Sequence, residues 1–407
     1  MIEIRRLTAG EIPKLEKILT MVFNQRRDFS KEQESEGREG DPKDQRPPHW
    51  AWGAFEGGRL LSGMWEIEFL MLFDGNNVKM SGIGGVGTLP EARKGGLVRQ
   101  IFEKLLPEAY ENGVVFYCLY PFSHDYYRRF GYEIACARNN VSIPAKSFFG
   151  LKPGGEFVQI FPGDDTCALQ EVHSSYIDGL NHGICRDYWP DDRGWKRFTE
   201  NDPYNTGIFL YLWKDDEGRP RGYIKYKAEG DDDGGHAMSV QELAFTDREG
   251  LYGILGIVGG LSAQFKNFRW EMPMFIDPFD FVGGAWEVSQ YISPRDMTRV
   301  VNVKAALEMM RRPSGEGSYV IEVEDANIAA NNGRYLVEFA QGETRVSLTK
   351  KEAHLRCDIP VLSQLVTGYR TLENTLLSRR SGLELYGNFE TLTRVFTLRP
   401  QHITERF

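Results

Sequence analysis

Several features that assign a chain to a simple class are scarce or absent in these 407 residues. No window approaches the roughly 18 consecutive uncharged apolar residues that a membrane helix requires. The longest apolar stretch, 251–265, is short and rich in glycine. The N-terminal segment carries acidic side chains and has no uninterrupted apolar core, which argues against a secretory signal peptide. We therefore expect a cytoplasmic chain without a membrane span.

Cysteine and histidine are also scarce. The five cysteines are odd in number, scattered and never spaced as CxxC, so we interpret them as free thiols in a reducing compartment. The seven histidines form no HxxxH motif and no cluster with cysteine. We therefore expect no built-in metal site.

Basic residues are outnumbered by acidic ones. Lysine and arginine total 49 against 58 aspartate and glutamate residues, which gives a net charge of −9. A general nucleic-acid binder needs a basic face to neutralise phosphates, so this balance argues against that class and suits cationic substrates instead. The length predicts two to three domains.

The first 145 or so residues are predicted to form a mixed α/β unit. A strand over 1–7 is followed by a capping box, Thr8 with Glu11, and by an amphipathic helix. Then come strands over 50–55, 59–72 and 77–82, a glycine-rich turn, a long helix from Leu97, a buried strand over 114–120 and an aromatic helix over 122–130. Pro107 predicts a kink or an end in the long helix.

The charged segment 24–49 interrupts this unit, with Phe29 as its one large apolar residue. Two interpretations stay open. It is either a solvated surface insertion or a lid over a substrate cleft, whose entrance Asp28 and the acidic residues within 32–44 would line.

The rest of the chain continues the mixed α/β pattern. An irregular linker over 144–162 precedes strands and a helix in the same order as before, which hints at an internal duplication. A third set of strands and helices begins near residue 293. The tail after Thr397 is polar and has no obvious core partner, so composition alone predicts a frayed terminus.

The sequence GIGGVG at 82–87 matches the dinucleotide fingerprint G-x-G-x-x-G, but its context does not fit. That fingerprint must open directly into a helix, and Pro90 would break such a helix in its first turn. The turn RKGG at 93–96 is a better phosphate cradle. Its glycines allow backbone N–H groups to approach a pyrophosphate, its two cations supply countercharge, and a helix starts just beyond.

This turn resembles the acyl-coenzyme A loop of GNAT N-acetyltransferases, and YRRFGY at 127–132 is a second mark of that family. The whole chain resembles the Eis (enhanced intracellular survival) family, in which a GNAT domain, a degenerate GNAT-like domain and a sterol-carrier-protein-like domain follow one another. CDIPVLSQLVTG at 357–368 is similar to a helix of the carrier domain. The resemblance implies three α/β domains, over 1–148, 149–292 and 293–407. It also implies one active centre, because the second domain lacks the glycine-rich coenzyme turn.

The resemblance implies acetyl-CoA as the acetyl donor. The positions that match the family's coenzyme site are Val86, Gly87, Thr88, Arg93, Lys94, Gly95, Gly96, Leu97, Val98, Arg99, Phe122 and Ser123.

The resemblance also implies the two proton-transfer groups. Tyr127 would be the general acid that protonates the departing thiolate. Tyr126 and Tyr132 are nearby tyrosines that the family motif does not assign to this role. The alternative is that Tyr127 is only an aromatic residue at a helix end. The α-carboxylate of Phe407 would be the base. Its reference pKa of roughly 3.3 to 3.7 is low for that task, so it needs burial, a relaying water or a positioning role.

The implied activity is N-acetylation of cationic acceptors such as aminoglycosides or lysine side chains, by a chain that assembles as a hexamer. The alternative is a lipid- or small-molecule-binding protein that uses the carrier-like domain and has a vestigial transferase. The intact 93–96 turn and Tyr127 argue against a vestigial site.

Overall fold

In a computed structural model of the chain, the described residues are 1–26, 49–188, 192–230, 235–379 and 382–405. The proposed lid with Asp28 and 32–44, and the terminal Phe407, fall outside these ranges. No helix within the described ranges is long and apolar enough to cross a bilayer. Nor do these ranges contain three or more His, Cys, Asp or Glu side chains grouped to hold a metal ion.

The strands of the described residues are, in chain order, β1 (Ile2–Arg6), β2 (His49–Glu56), β3 (Arg59–Phe73), β4 (Asn76–Thr88), β5 (Phe116–Leu119), β6 (Glu133–Ile134), β7 (Ala137–Pro144), β8 (Glu156–Gln159), β9 (Gly183–Cys185), β10 (Ile208–Lys214), β11 (Pro220–Gly230), β12 (His236–Phe245), β13 (Asn267–Met272), β14 (Ser289–Pro294), β15 (Met297–Val300), β16 (Gly317–Glu324), β17 (Gly333–Ala340), β18 (Glu343–Leu348), β19 (Leu355–Asp358) and β20 (Glu384–Leu385).

The α-helices of the same ranges are α1 (Ile12–Val22), α2 (Leu97–Glu111), α3 (His124–Arg128), α4 (Cys167–Asp178), α5 (Arg193–Thr199), α6 (Pro203–Thr206), α7 (Arg248–Gly260), α8 (Val303–Met309), α9 (Ile359–Val366), α10 (Leu372–Leu376) and α11 (Phe389–Val395). Short 3₁₀ turns connect several of them. Together with the strands they confirm the predicted mixed α/β class.

The first sheet has the order β1-β2-β3-β4-β5-β15-β6, and β9 adds to β3. Its pairs are antiparallel except β4 with β5, which run parallel. The apolar face of α2 packs on this sheet through Leu97, Ile101 and Leu105, all at most 6% exposed. This buried face also explains why α2 continues through Pro107 to Glu111, so an end of the helix at Pro107 was the wrong expectation.

The sequence predicted a turn for the glycine-rich segment 82–87. In the structure, this segment is instead the second half of β4. The reason is the packing of α1 against it. A Cβ atom on Gly87 would lie 2.9 Å from a Leu19 methyl and 3.1 Å from a methyl of Ile18. The glycines therefore let helix and strand approach closely, and this tertiary contact outweighs the low strand propensity of glycine.

The second sheet has the order β14-β7-β13-β12-β11-β10-β8, with α7 packed on one face and α4 on the other. The third sheet has the order β18-β17-β16-β19-β20, and α9 lies against it. Strands cross the proposed domain limits. β7 precedes residue 148 but pairs in the second sheet, whereas β15 follows residue 292 but lies inside the first sheet.

The first and third sheets share one apolar core. Phe73 and Phe116 of the first sheet belong to the same buried cluster as Tyr319 of β16 and Leu362 of α9. Arg299 of β15 is fully buried and donates to both carboxylate oxygens of Asp325, at 2.7 and 2.6 Å. The carrier-like domain is thus packed directly onto the first GNAT-like sheet.

Candidate active site

A gap opens in the first sheet where β4 and β5 part. The two strands pair in parallel from Met80 with Phe116 to Ile83 with Leu119, and the pairing then stops. Within the described chain, residues 84–88 of β4 keep only β3 as a strand partner. Their backbone groups on the β5 side are therefore available to a ligand that enters the gap.

A bulge shapes β4 at this gap. Gly63 of β3 pairs with Gly87 and Trp65 pairs with Gly84, so one extra residue of β4 lies between the two pairs. Gly85 has a φ of +52°, in the region that favours glycine. Such a bulge bends a strand and raises its local twist, which turns the end of β4 away from β5.

Hydroxyl groups hold the end of β4 in place. The Ser62 hydroxyl donates to the Gly87 carbonyl at 3.0 Å and lies 2.7 Å from the Thr88 hydroxyl. The backbone of Val86, Gly87 and Thr88, all predicted coenzyme positions, is thus fixed from the β3 side and open on the other.

The turn that leads into α2 forms an anion cradle. Lys94 and Gly96 both have φ of +70°, so the backbone curls before the helix starts. The first helical bond runs from the Gln100 N–H to the Gly96 carbonyl, at 3.0 Å. The N–H groups of 97–99 therefore have no acceptor within the helix, and they coincide with the positive end of the helix dipole. This arrangement suits a pyrophosphate.

Two exposed cations flank this cradle. Arg93 and Lys94 are both solvent-exposed, and neither forms an ion pair within the described part of the chain. Arg99, one turn along, pairs loosely with Glu103 at 3.5 Å, and both side chains are more than half exposed. The turn can thus offer positive charge to a phosphate without first breaking a buried pair.

Tyr127 lies on α3, just beyond the end of β5. The Ser123 hydroxyl caps α3 by accepting from the Tyr126 N–H at 3.4 Å. The Tyr127 side chain is 3% exposed, and its ring lies 5.4 Å from that of Phe122 and 6.2 Å from that of Tyr132. Burial, and secondarily the neighbouring Tyr126, raises the pKa of Tyr127. The phenol therefore stays protonated at neutral pH, as a proton donor must.

Several of the residues predicted for the active site pack in one buried core. Tyr127, Leu97 and Val98 belong to the same buried cluster, with Val86 packed against it. Phe122 is 73% exposed at the surface beside Tyr127. The structure thus brings the end of β4, the start of α2 and the aromatic helix α3 together.

The tail does not fray, contrary to what its composition predicts. The Asn181 N–H donates to the Pro400 carbonyl at 2.7 Å, and Ile403 is fully buried. Farther along, the Tyr120 hydroxyl donates to the backbone carbonyl of Glu405 at 2.5 Å. Because Tyr120 directly follows β5, the last described residues of the tail lie at the same end of β5 as α3.

Two buried polar groups near the gap were not predicted. Glu66 of β3 pairs in register with Ile83, the last residue of β4 that pairs with β5. Its carboxylate accepts from the Trp52 indole at 2.8 Å and from the Tyr117 hydroxyl, and burial raises its pKa. The second group is Arg186, which pairs with Glu405. An acid at an inward position of an alternating strand signals Glu66, whereas no local pattern marks Arg186.

Family models match three separate parts of the chain. Residues 3–135 match an acetyltransferase (GNAT) domain, residues 189–300 match a second acetyltransferase (GNAT) domain, and residues 303–404 match a sterol carrier protein domain. The chain is therefore a GNAT-type N-acetyltransferase with tandem GNAT domains and a C-terminal sterol carrier protein domain.

Whole proteins with this architecture are known. An uncharacterized N-acetyltransferase of Streptomyces griseus is 24% identical over 373 residues, which cover 84% of this chain and 86% of that protein. The structure of a probable N-acyltransferase from Enterococcus faecalis V583 matches with a TM-score of 0.84 at 21% identity, over 100% of both chains. Eis1 from Mycobacterium abscessus matches with a TM-score of 0.79 at 19% identity, also over 100% of both chains. The chain thus shares the fold of these two structures from end to end. Its two GNAT domains and its carrier domain follow one another in the order that the sequence predicted.

Proposed function

We propose that this chain transfers an acetyl group from acetyl-CoA to an amine of a cationic acceptor, either an aminoglycoside or a lysine side chain. The observation that carries the proposal is the gap between β4 and β5. The unpaired backbone groups of β4 at this gap lie close to an anion cradle at the start of α2 and to Tyr127, which is buried and protonated. The net charge of −9 further favours cationic acceptors.

The residues around the gap fit acetyl-CoA. The backbone of 86–88 is open to a pantetheine amide, the turn 93–96 and the N–H groups of 97–99 suit the pyrophosphate, and Phe122 and Ser123 border the opposite side. Acetyl-CoA would supply the acetyl group as a thioester, whose carbonyl the free N–H groups of β4 would polarise.

Acetyl transfer then needs two proton movements. The neutral amine of the acceptor attacks the carbonyl carbon, so that a C–N bond forms while the C–S bond breaks. Tyr127 gives its proton to the departing sulfur, and the α-carboxylate of Phe407 takes the proton that the amine loses. The path of the tail to Tyr120 supports this role for Phe407, although a carboxylate is a weak base and also serves to position the ammonium group.

The test is an acetylation screen with the purified full chain. Acetyl-CoA is mixed with a panel of aminoglycosides and a lysine-bearing peptide, and thiol release and product mass are measured. We expect thiol release that depends on the acceptor, and one added acetyl group for each modified amine. A chain that binds no acetyl-CoA in calorimetry would contradict the proposal.

A matched pair of variants locates the donor site. Arg93→Ala removes a cation from the cradle and should raise the KM for acetyl-CoA about tenfold with little change in kcat, because a phosphate contact is made equally in the ground and transition states. Arg345→Ala removes an arginine from β18, in the third sheet, and should leave both constants unchanged. A hexameric assembly, implied by the family resemblance alone, is checked separately by light scattering.

The lipid-binding alternative has less support from the carrier domain than acetyl transfer has from the gap between β4 and β5. The interior residues of the carrier domain, such as Ile321 and Leu365, are at most 1% exposed and share a core with the first sheet. We propose that this domain supports the transferase and carries the tail.

A further inference from the structure

The second GNAT domain repeats the gap of the first. Its strands β12 and β13 pair in parallel only over Ala237–Ser239 with Asn267–Arg269, and the pairing then stops. This is the counterpart of the parting of β4 and β5. A cavity of about 190 Å³ lies there, lined by both strands and by tail residues His402, Ile403 and Thr404. The tail therefore lies in the gap of the second domain.

This second gap is not built to hold a coenzyme. The following helix, α7, starts at Arg248, and its N-cap Asp247 accepts from the Gly250 N–H at 2.9 Å. Arg221 also pairs with Asp247, at 2.7 Å. A carboxylate thus occupies the helix start that a pyrophosphate would need, whereas α2 of the first domain has no side-chain cap.

A buried ion cluster joins the tail to the second domain. The Arg186 guanidinium is 3% exposed, donates twice to Glu242 of β12 at 2.8 and 3.1 Å, and donates from Nε to Glu405 of the tail at 2.8 Å. Its Cζ atom lies over the rings of Trp195 and Phe198, 4.7 and 4.3 Å from their centroids. Because the guanidinium fork is rigid and held on all sides, it fixes the Glu405 carboxylate in direction as well as distance.

A histidine provides a second anchor. The His402 Nε2 atom lies 3.3 Å from the Glu271 carbonyl, which can only accept, so Nε2 carries the proton of the neutral ring. Nδ1 therefore accepts from the Tyr176 hydroxyl of α4, at 2.7 Å. Both anchors belong to the second domain, and between them the tail has little freedom.

We propose that the second GNAT domain is a receptor for the tail, and that Arg186 acts through Glu405 as a positioning residue for the chain terminus at the acetyl-transfer site of the first domain. The link between the two sites is Tyr120, whose hydroxyl holds the Glu405 carbonyl beside the end of β5. This inference deepens the proposed function and rests on it for the catalytic role of the terminus. The anchoring itself does not depend on that role.

The anchoring is tested without the reaction. Glu405→Gln in the full chain keeps the side-chain shape and leaves the pair of Arg186 with Glu242 intact, while it removes one charge-assisted bond. We expect carboxypeptidase Y to release Phe407 about tenfold or more faster than from the unchanged chain, with mass spectrometry as the readout. Tyr176→Phe should have a smaller effect in the same direction. Glu352→Gln, at an exposed position, is the matched control, and release from Glu405→Gln at the control rate would overturn the proposal.

Turnover of acetyl-CoA with neomycin tests positioning. Glu405→Gln should lower kcat about tenfold and leave the KM for acetyl-CoA unchanged, and it should have no further effect in a chain that lacks residues 406–407. An equal fall in kcat in that shortened chain would overturn the positioning role, as would a loosened tail with normal kcat. If a residue appended after Phe407 leaves turnover intact, the catalytic role of the terminus fails, and release by carboxypeptidase still decides the anchoring.

Discussion

Tyr126 and Tyr127 are neighbours in the sequence, yet their side chains lie in different surroundings. Tyr127 is 3% exposed and belongs to the core beneath the gap, whereas Tyr126 is only partly buried and packs at the edge of that core. Desolvation raises the pKa of both phenols. Only Tyr127 combines burial with the position in the family motif, so these neighbours provide a matched pair for testing the general acid.

We expect Tyr127→Phe to lower kcat by about 10²- to 10⁴-fold, the usual contribution of general acid catalysis, with little change in the KM for acetyl-CoA. The benzyl ring keeps the packing, so circular dichroism and the melting temperature should stay near those of the unchanged chain. Tyr126→Phe is the control and should keep most of the activity. Equal rates for the two variants would remove Tyr127 from the mechanism.

Two further residues, His173 and His182, are buried with both ring nitrogens lacking a hydrogen-bond partner within the described residues. Burial lowers the pKa of each from 6.5 to about 3. Between these values the unfolded chain binds protons that the folded chain excludes. The free energy of unfolding therefore falls as pH decreases from 6.5 toward 3.

The expected slope is about 1.4 kcal/mol per pH unit for each such histidine. His173→Phe should flatten the decline by about that amount, because phenylalanine can pack against Trp195 and takes up no proton. Urea unfolding between pH 7 and pH 4.5 measures the effect. An unchanged slope in His173→Phe would contradict the assignment.

At the scale of elements, β4 combines a strand and a ligand site, and its glycines serve both. A Cβ atom on Gly85 would lie 2.8 Å from a Leu19 methyl and 2.8 Å from the Trp65 ring, and its φ of +52° adds strain. We expect Gly85→Ala to lower the free energy of unfolding by about 1–3 kcal/mol and to raise the KM for acetyl-CoA. Gly10→Ala, with no atom within 4 Å of the added methyl, is the control. A neutral Gly85→Ala would show that α1 can move away from β4 without loss.

Periodicity predicted most element types, since they depend on local patterns. α9 is an example, because Asp358 and Pro360 mark its start and the Asp358 carboxylate accepts from the Val361 N–H at 3.0 Å. The predictions failed where distant packing decides the structure. The 82–87 segment became strand because α1 lies against it, and α2 continues past Pro107 because its apolar face is buried.

At the scale of the whole molecule, the coenzyme side of the candidate site follows from local sequence patterns, whereas the tail side depends on contacts between distant residues. The RKGG turn and the YRRFGY segment carry family patterns in consecutive residues, so the sequence alone is enough to propose them as parts of a coenzyme site. The anchor of Glu405 on Arg186 joins residues more than two hundred positions apart, at places with no shared motif. Only the path of the chain through three sheets brings such residues together.

The shared core leads us to expect that the first GNAT domain and the carrier domain unfold as one unit. Arg299→Met leaves the buried Asp325 carboxylate without its charged partner and should lower the free energy of unfolding of both domains by about 3–5 kcal/mol. Urea unfolding followed by hydrogen exchange at β3 and at β16 measures the two together. Arg356→Met breaks an exposed pair with Glu324 in the third sheet and should change the free energy of unfolding far less than Arg299→Met does. Loss of protection in one domain alone would show that they are independent.

The position of β15 between β5 and β6 has a consequence for biosynthesis. During translation, β5 leaves the ribosome long before its neighbour β15, and at ~5–20 residues per second the delay is on the order of ten seconds. For that time the nascent first sheet has an unpaired inner edge, which is a site for chaperone binding or for aggregation. A gene cut at residue 148 would make this transient state permanent, so the enzyme domain depends on downstream sequence to complete its own sheet.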